Sequence, residues 1–355
     1  MALKNRPKVI YTLGLLSLLF LAAALSLARR PLQSRDEMMT ASRRMKEAVT
    51  AARNCRDDAG IPIDPSRDIN GTGLIGLESS PITTSLGNLE AKRTTANPNF
   101  AGLIVLLLHQ AGVSRGETIA IGASSSFPGL IIASLCAVQA MNLRPLLICS
   151  LGASQWGANH PEFHWLKILR CLERSGLVMT GPIALSLGGD GDEGKDMSRE
   201  GRELLVRAAG ETGLPFLSEP DLRRNVEERF RLYRTAAGGA EIRAFINVGG
   251  GYASMGTDSE ILKVTPGLAI FSRIPPREQR GVIFEMAARR VPVIHLLYIK
   301  GLCDRYGLPW DPAPLPEPGG GEFYRQEEVN PRAFLILAGA YFLLIAIVLV
   351  IAARS

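Results

Sequence analysis

The sequence predicts an α/β protein: a parallel sheet with helices on both faces, flanked by an N-terminal and a C-terminal transmembrane helix. Six short apolar runs alternate with longer amphipathic segments across the middle of the chain, which is the pattern of parallel strands joined by crossover helices. Outside that pattern lie two long uncharged stretches, residues 9–28 and 333–353. Each has about the twenty residues that a helix needs to cross a bilayer.

The first apolar stretch has two interpretations. A basic tail, residues 1–8, precedes it and small alanines lie near its end, as in a cleavable signal peptide. The apolar core of a signal peptide is normally shorter, so the length of 9–28 favours an uncleaved anchor. Two spans place both termini on one side of the membrane, and the basic tail favours the cytoplasm for them. The main domain is therefore predicted to be extracytoplasmic, although Arg29 and Arg30, just after the span, oppose this orientation.

Composition says more about the expected binding partners than about the compartment in which the domain lies. The formal net charge is +6 with basic and acidic residues interleaved, so no basic block is present and nucleic acid is not an expected partner. A modest positive excess suits a polyanionic ligand without requiring one. The five cysteines give no complete disulfide framework because their number is odd. Cys136 and Cys149, in apolar stretches, are expected to be small core residues.

Two segments are predicted to connect the spans to a main domain at 61–307. Within 29–60, small and apolar residues recur at three- and four-residue steps, which predicts an amphipathic helix. Its small side chains favour a stalk packed on the domain over a self-associating coil. Prolines and glycines are frequent in 308–332, which predicts a semi-extended tether into the second span.

Inside the main domain, strands and helices alternate. The predicted strands, each bounded by Gly, Pro, Ser or Asn, are 118–122, 145–149, 183–187, 215–217, 244–248 and 292–297. The predicted helices are 98–111, 128–141, 161–175, 198–209, 221–236 and 276–289, and three of the later ones open with Pro. The first of these helices carries an apolar run, 103–108, that is too short to span a membrane and is expected to be buried against the sheet.

The loops that follow the predicted strands are rich in small and polar residues. Ligands of open parallel sheets bind outside the carboxyl ends of the strands, so these loops are expected to form a polar cleft. Hydroxyls and backbone N–H groups at the start of a helix suit a carboxylate or a phosphate. The candidate ligand-binding residues are Ser125, Ser126, Ser154, Trp156, Asn159, Asn247, Gly249, Gly250 and Gly251, together with Lys92 and Arg93 from a preceding segment.

A nucleophile elbow is one interpretation of the first loop. Gly122-x-Ser124-x-Ser126 resembles that motif with Ser in place of the second Gly. Ser124, Asp190 and His295 then follow the nucleophile, acid, base order of α/β-hydrolases. The alternative is plain N-capping by a Ser-rich turn, and spacing does not show that His295 reaches Ser124.

The glycine-rich loop 188–194 is a candidate for a divalent cation. Asp190 and Asp192 would offer oxygen ligands to Ca²⁺ or Mg²⁺, yet the loop lacks the full spacing of an EF-hand. A tight turn with solvated acids is the alternative. The three glycines 249–251 do not form the dinucleotide fingerprint, so NAD is not inferred.

Four motifs in order resemble those of a known family. They are residues 78–84 (ESSPITT), 150–159 (SLGASQWGAN), 186–192 (SLGGDGD) and 245–251 (FINVGGG). Together they resemble the bacterial poly-γ-glutamate system proteins, capsule-associated membrane proteins of the machinery that makes and exports a γ-linked glutamate polymer. The resemblance covers residues 78 to about 312 and implies a pathway rather than a reaction.

The resemblance implies a membrane accessory protein that binds the polyanionic polymer or the subunits that synthesise and export it. Helix ends, hydroxyls and glycine backbones would receive the polymer's carboxylates, and divalent cations would bridge them to the acidic loop. One alternative is a serine-dependent amide hydrolase or transferase that acts on the polymer through Ser124 and His295. Another is a scaffold whose loops contact partner subunits.

Overall fold

The computed structural model describes residues 6–27, 29–32 and 34–354. Residues 1–5 of the predicted basic tail and Ala28, the last residue of the first predicted span, lie outside the described residues. The chain divides into an α/β unit, Ser34–Tyr324, and a terminal unit made of the described residues before and after it.

The terminal unit contains the two predicted spans. Helices α1 (Arg6–Leu25) and α12 (Pro331–Arg354) are the helices in the described chain that are long and apolar enough to cross a membrane. They pack together: the Phe20 and Tyr341 rings stack with centroids 4.4 Å apart, and Ser17 Oγ lies 2.9 Å from the Tyr341 hydroxyl. Packing of this kind holds helices together in lipid. Beside them, strands β1 (Arg29–Pro31) and β9 (Glu327–Val329) pair antiparallel.

A mostly parallel sheet forms the centre of the α/β unit. Its strands are β2 (Thr118–Ser124), β3 (Arg144–Ser150), β4 (Ala184–Ser186), β5 (Phe216–Leu217), β6 (Ile242–Val248), β7 (Gly267–Leu268) and β8 (Val293–Leu296). The order across the sheet is β5-β4-β3-β2-β6-β8-β7, and β7, at one edge, is the antiparallel strand. All six predicted strands are confirmed, with bounds shifted by one or two residues. The two-residue strand β7 was not predicted.

Helices cover both faces of the sheet. In chain order they are α2 (Arg35–Asp58), α3 (Leu89–Thr94), α4 (Asn99–Gln110), α5 (Pro128–Ala140), α6 (Trp165–Arg174), α7 (Arg199–Gly210), α8 (Leu222–Ala237), α9 (Tyr252–Met255), α10 (Val282–Ala288) and α11 (Ile299–Tyr306). Tyr233 of α8 and Phe284 of α10 pack with Phe245 of β6 in one buried cluster, and α4 and α5 pack together under α2. The predicted α/β class is confirmed.

Two predicted helices begin later than expected. Helix α6 starts at Trp165 rather than Pro161, because His164 has an extended backbone and forms its N-cap. Helix α10 starts at Val282 rather than Pro276, because the N–H groups of Gln279 and Arg280 both donate to the Pro276 carbonyl and close a separate turn.

The α/β unit is longer at both ends than the predicted domain. The small-residue stripe of α2 is fully buried against α4 and α5 from Met38 to Ala52, so the stalk is a packed part of the unit. The predicted tether also folds back, because Gly319 N–H donates to Asn99 Oδ1 at 2.8 Å. The unit therefore spans Ser34–Tyr324 rather than 61–307. Side-chain hydrogen bonds hold this Pro-rich segment, and such bonds leave no periodic pattern in a sequence.

Candidate functional site

The strand order reverses at β2, since β3 adjoins it on one side and β6 on the other. Ligands of doubly wound sheets bind at this point, outside the carboxyl ends of the strands. An added Cβ on Gly249 would lie 3.2 Å from Ser124 Cβ, and one on Gly251 would lie 3.9 Å from Ser150 Oγ. The loops that follow β2, β3 and β6 therefore meet here. We call residues 124–126, 150–154 and 249–251 the switch-point crevice.

Hydrogen bonds between hydroxyl groups organise the crevice. Ser124 Oγ donates to Ser126 Oγ at 3.0 Å, and Ser154 N–H donates to the same oxygen at 3.0 Å. Ser125 Oγ donates to the Ser150 carbonyl at 2.7 Å and so braces β2 against β3. Ser126 Oγ accepts two hydrogen bonds, and its own hydrogen has no acceptor in the part of the chain that the structure describes. That hydroxyl can donate to a ligand.

Lys92 projects from α3 into the crevice. Its Nζ donates to the Ser126 carbonyl at 2.5 Å and to Ser154 Oγ at 2.8 Å, and it lies 3.7 Å from the centroid of the Phe127 ring. The side chain is 4% exposed, and the ion pairs of the described residues give it no carboxylate. Burial without a counter-charge lowers the pKa of Lys92 from 10.5 to about 7.

Arg93, adjacent in sequence, points elsewhere. Its guanidinium forms an ion pair with Asp311, and this contact raises the pKa of Arg93. Arg93 therefore holds the Pro-rich segment after α11 on the unit, and Lys92 is the cation of the crevice.

Two other predicted ligand-binding residues have structural contacts. Asn159 is fully buried, and its amide bonds the backbone N–H and C=O of Leu77 at 2.8 Å each. It thereby fixes residues 76–85, which we call the covering segment, against residues 153–156 of the loop after β3. Trp156 is half-buried with a φ of +63°, and the Arg67 guanidinium lies 5.1 Å from its ring centroid.

The structure does not bring Ser124, Asp190 and His295 together. His295 Nδ1 lies 3.1 Å from Asn247 Nδ2, so the neutral ring accepts this hydrogen bond. Strand β6 separates β2 from β8, and its Asn247 is aligned with His295 while Ser124 lies two residues beyond the aligned Gly122. Burial lowers the pKa of His295 to about 4. Asp190 is exposed and makes no hydrogen bond to either residue within the described chain. The catalytic arrangement expected from the sequence is therefore absent from the described structure.

Asn247 connects His295 to the glycine loop. Its Nδ2 also donates to the Gly249 carbonyl at 2.7 Å. Its Oδ1 is buried and has no hydrogen-bond partner among the described residues. Buried acceptors are rarely left unpaired, so this oxygen is a candidate contact for a ligand or a water molecule.

The acidic loop contains a buried ion pair. Asp192 Oδ2 lies 2.6 Å from Arg229 Nη2, accepts from Asn225 Nδ2 at 3.0 Å, and the other oxygen accepts from Ser186 Oγ at 2.8 Å. These contacts tie the loop to α8. Asp190 is exposed, and no group of three or more metal-ligating side chains occurs within 6–27, 29–32 and 34–354. Asp192 is thus occupied by Arg229, and Asp190 does not lie with it in such a group among the described residues.

The α/β unit contains a disulfide that was not predicted from the sequence. Cys55 of α2 and Cys171 of α6 form a disulfide, with their Cα atoms 6.4 Å apart and a sequence separation of 116 residues. Cys136 and Cys149 are buried thiols, as predicted. An odd number of cysteines does not show which two of them pair.

No protein-family model matches the chain, and searches of curated proteins and of solved structures found no match either. Function is therefore inferred from the crevice, the two apolar helices and the resemblance of the four motifs.

Proposed function

We propose that this chain is a membrane-anchored accessory protein of poly-γ-glutamate synthesis or export, and that its switch-point crevice binds carboxylates of the polymer. The observation that carries the proposal is Lys92, a buried cation without a carboxylate partner among the described ion pairs, at the ligand-binding edge of the sheet. The polymer has one free carboxylate per residue. A carboxylate at the crevice would supply the missing counter-charge.

Several groups would assist Lys92. The free hydroxyl hydrogen of Ser126 is a donor, and the N-terminus of α5, a helix of thirteen residues, follows the serine loop directly. Helix N-termini attract anions through their unpaired N–H groups and their dipole. Gly249 has a φ of +81°, which favours glycine, and it packs against the serine loop, because an added Cβ would lie 3.2 Å from Ser124 Cβ.

The α/β unit is proposed to lie outside the cytoplasm. The Cys55–Cys171 disulfide supports this side, because disulfides persist in oxidising compartments. The basic tail at residues 1–8 supports the same orientation. Subunits of the synthesis and export machinery are the proposed protein partners.

Binding is tested by titrating the full-length protein in detergent with γ-glutamyl oligomers. We expect saturable binding that weakens with salt, and a loss of at least tenfold in affinity in Lys92→Gln. Lys263→Gln is the matched control, because this lysine is 71% exposed and pairs with Glu260 away from the crevice. Absence of saturable binding, or equal losses in the two variants, would contradict the proposal.

The hydrolase expected from Ser124, Asp190 and His295 receives no support from the geometry, since these side chains do not contact one another in the described structure. Divalent cations remain candidates as bridges between polymer carboxylates, which is tested by repeating the titration with Ca²⁺ and with Mg²⁺.

A further inference from the structure

We infer that Ser154 and the neutral form of Lys92 are a nucleophile–base pair, which gives this protein an acyl-transfer activity toward amide bonds when no carboxylate is bound at the amine. The pair is assigned from contacts within the crevice. That the amide is a γ-glutamyl bond rests on the proposed function.

The first support is geometric. Ser154 Oγ lies 2.8 Å from Lys92 Nζ, within the range in which a base takes the proton of a nucleophile. Ser–Lys pairs are a known variant of the serine triad. Both residues are buried, with Ser154 6% and Lys92 4% exposed.

The second support is the number of groups around Nζ. A neutral amine has two hydrogens and one lone pair, and Nζ has three neighbours: the Ser126 carbonyl, the Phe127 ring and the Ser154 hydroxyl. The carbonyl and the ring face can each accept one hydrogen. In the ammonium form Nζ donates to Ser154 Oγ; in the neutral form its lone pair is left for Ser154 Oγ, whose own hydrogen has no other acceptor in the residues that the structure covers. In this arrangement the hydroxyl donates to the amine, as general-base catalysis requires.

The third support is the neutral form of the base. Burial without a carboxylate lowers the pKa of Lys92 to about 7, so a large fraction of Lys92 is unprotonated near neutral pH. The loops around Nζ, 124–127 and 150–156, contain no titratable side chain. On α3 itself the charged neighbours are Glu90 and Arg93, and Arg93 is paired with Asp311.

The nucleophile is held by backbone contacts on both sides. Ser154 N–H donates to Ser126 Oγ at 3.0 Å, and the flanking Gln155 N–H donates to the Ser85 carbonyl at 2.9 Å. Thr84 N–H donates to the Ala153 carbonyl at 2.9 Å. Ser154 is therefore fixed between Ser126 and the covering segment, which limits the motion of its hydroxyl relative to Nζ.

The reaction has two stages, acylation of Ser154 and deacylation by water. Ser154 Oγ forms a bond to the amide carbonyl carbon while its proton passes to Lys92 Nζ. The tetrahedral intermediate then breaks its C–N bond, and Nζ returns the proton to the leaving amine, which leaves an ester on Ser154. Water attacks that ester and gives a proton to Nζ, and breakage of the ester C–O bond returns the proton to Ser154 Oγ. Hydrolysis consumes one water; an amine in its place gives transfer.

The test uses the full-length protein in detergent and a fluorophosphonate probe, in which an activated serine displaces fluoride and forms a P–O bond. Peptide mass spectrometry of the folded wild-type protein should find the phosphonate on Ser154. The labelling rate should rise with pH, with a midpoint near 7, as Lys92 loses its proton.

Three variants sharpen the test. Ser154→Ala should abolish labelling, and Lys92→Arg, which keeps the positive charge but provides no neutral base, should slow it at least tenfold and flatten its pH profile. Ser134→Ala is the control expected to label as wild type, because this fully buried serine of α5 donates to the Leu130 carbonyl instead. Tryptophan fluorescence checks the fold of each variant, and site mapping on the wild type does not depend on any variant folding.

Two outcomes overturn the inference: a folded wild-type protein without phosphonate on Ser154, or a label on Ser124 in its place. A second arm incubates the protein with γ-glutamyl oligomers and measures new amino termini. Cleavage that disappears in Ser154→Ala supports both the pair and its substrate. Labelling of Ser154 without cleavage supports the pair and refutes the γ-glutamyl substrate, so failure of the proposed function is distinguishable from failure of the pair.

Discussion

Replacing Lys92 by Met should change how the stability of the α/β unit depends on pH. The substitution removes the amine and keeps an unbranched side chain of similar length. In the folded protein the pKa of Lys92 is lowered from 10.5 to about 7 by burial, whereas the unfolded chain keeps the ordinary value. Between these two pKa values the unfolded chain binds a proton that the folded chain does not, so the free energy of unfolding of the wild type rises with pH.

The size of the effect follows from those two pKa values. At about 1.4 kcal/mol per pKa unit, the full penalty for burying this amine is on the order of 5 kcal/mol, and it is present in full below pH 7. Between pH 6 and pH 9.5 the wild type should regain about 3 kcal/mol of it. Lys92→Met lacks this term, so its advantage over the wild type should shrink by the same amount across that range.

Urea unfolding of the full-length protein in detergent, followed by tryptophan fluorescence, measures this difference. Trp156, Trp165 and Trp310 all lie in the α/β unit, so the signal reports on that unit. Other titrating groups act on both proteins and cancel in the comparison. Lys263→Met, at an exposed lysine, should keep the pH dependence of the wild type. If wild type and Lys92→Met show equal pH dependence, Lys92 does not have a lowered pKa and the reasoning fails.

Three further substitutions test the packing of the unit. Cys55→Ser removes the disulfide between α2 and α6 and should lower the urea midpoint, because the lost chain constraint is worth about 4–5 kcal/mol. The control Cys303→Ser removes a free thiol, so its urea midpoint should respond to a reductant as that of the wild type does. Gly201→Ala should destabilise by at least about 1 kcal/mol, because its Cβ would lie 1.8 Å from a backbone carbonyl oxygen of segment 78–84. Gly210→Ala on the same helix meets nothing within 4 Å and should stabilise by up to about 1 kcal/mol; losses of equal size in the two alanine variants would contradict this contact. Asp192→Asn should cost about 3–5 kcal/mol in the same assay, because it leaves a buried arginine without its counter-charge, and an unchanged midpoint would argue against a buried pair.

The regular elements were predictable where a local pattern determines them. Strands β2, β3 and β6 are apolar runs bounded by turn residues, so period and boundaries identify them. Helices α3 and α9 are too short to show a repeating apolar face, and neither was predicted.

The site was predictable in part for a related reason. Loops after parallel strands share one edge of the sheet, so Ser126, Ser154 and Gly249 were expected to lie near each other. Which side chains touch depends on strand order, and one sequence does not show that β6 lies between β2 and β8. The Lys92–Ser154 contact joins positions 62 residues apart and leaves no local signal.

The two ends of the α/β unit meet at one point. Near its start, Ser42 lies on α2, and near its end the Tyr324 hydroxyl is 2.5 Å from Ser42 Oγ. This hydrogen bond therefore closes the intervening chain into a loop. Tension applied along the chain through the terminal helices would therefore pass the β1–β9 pairing and then this contact before it reached the sheet.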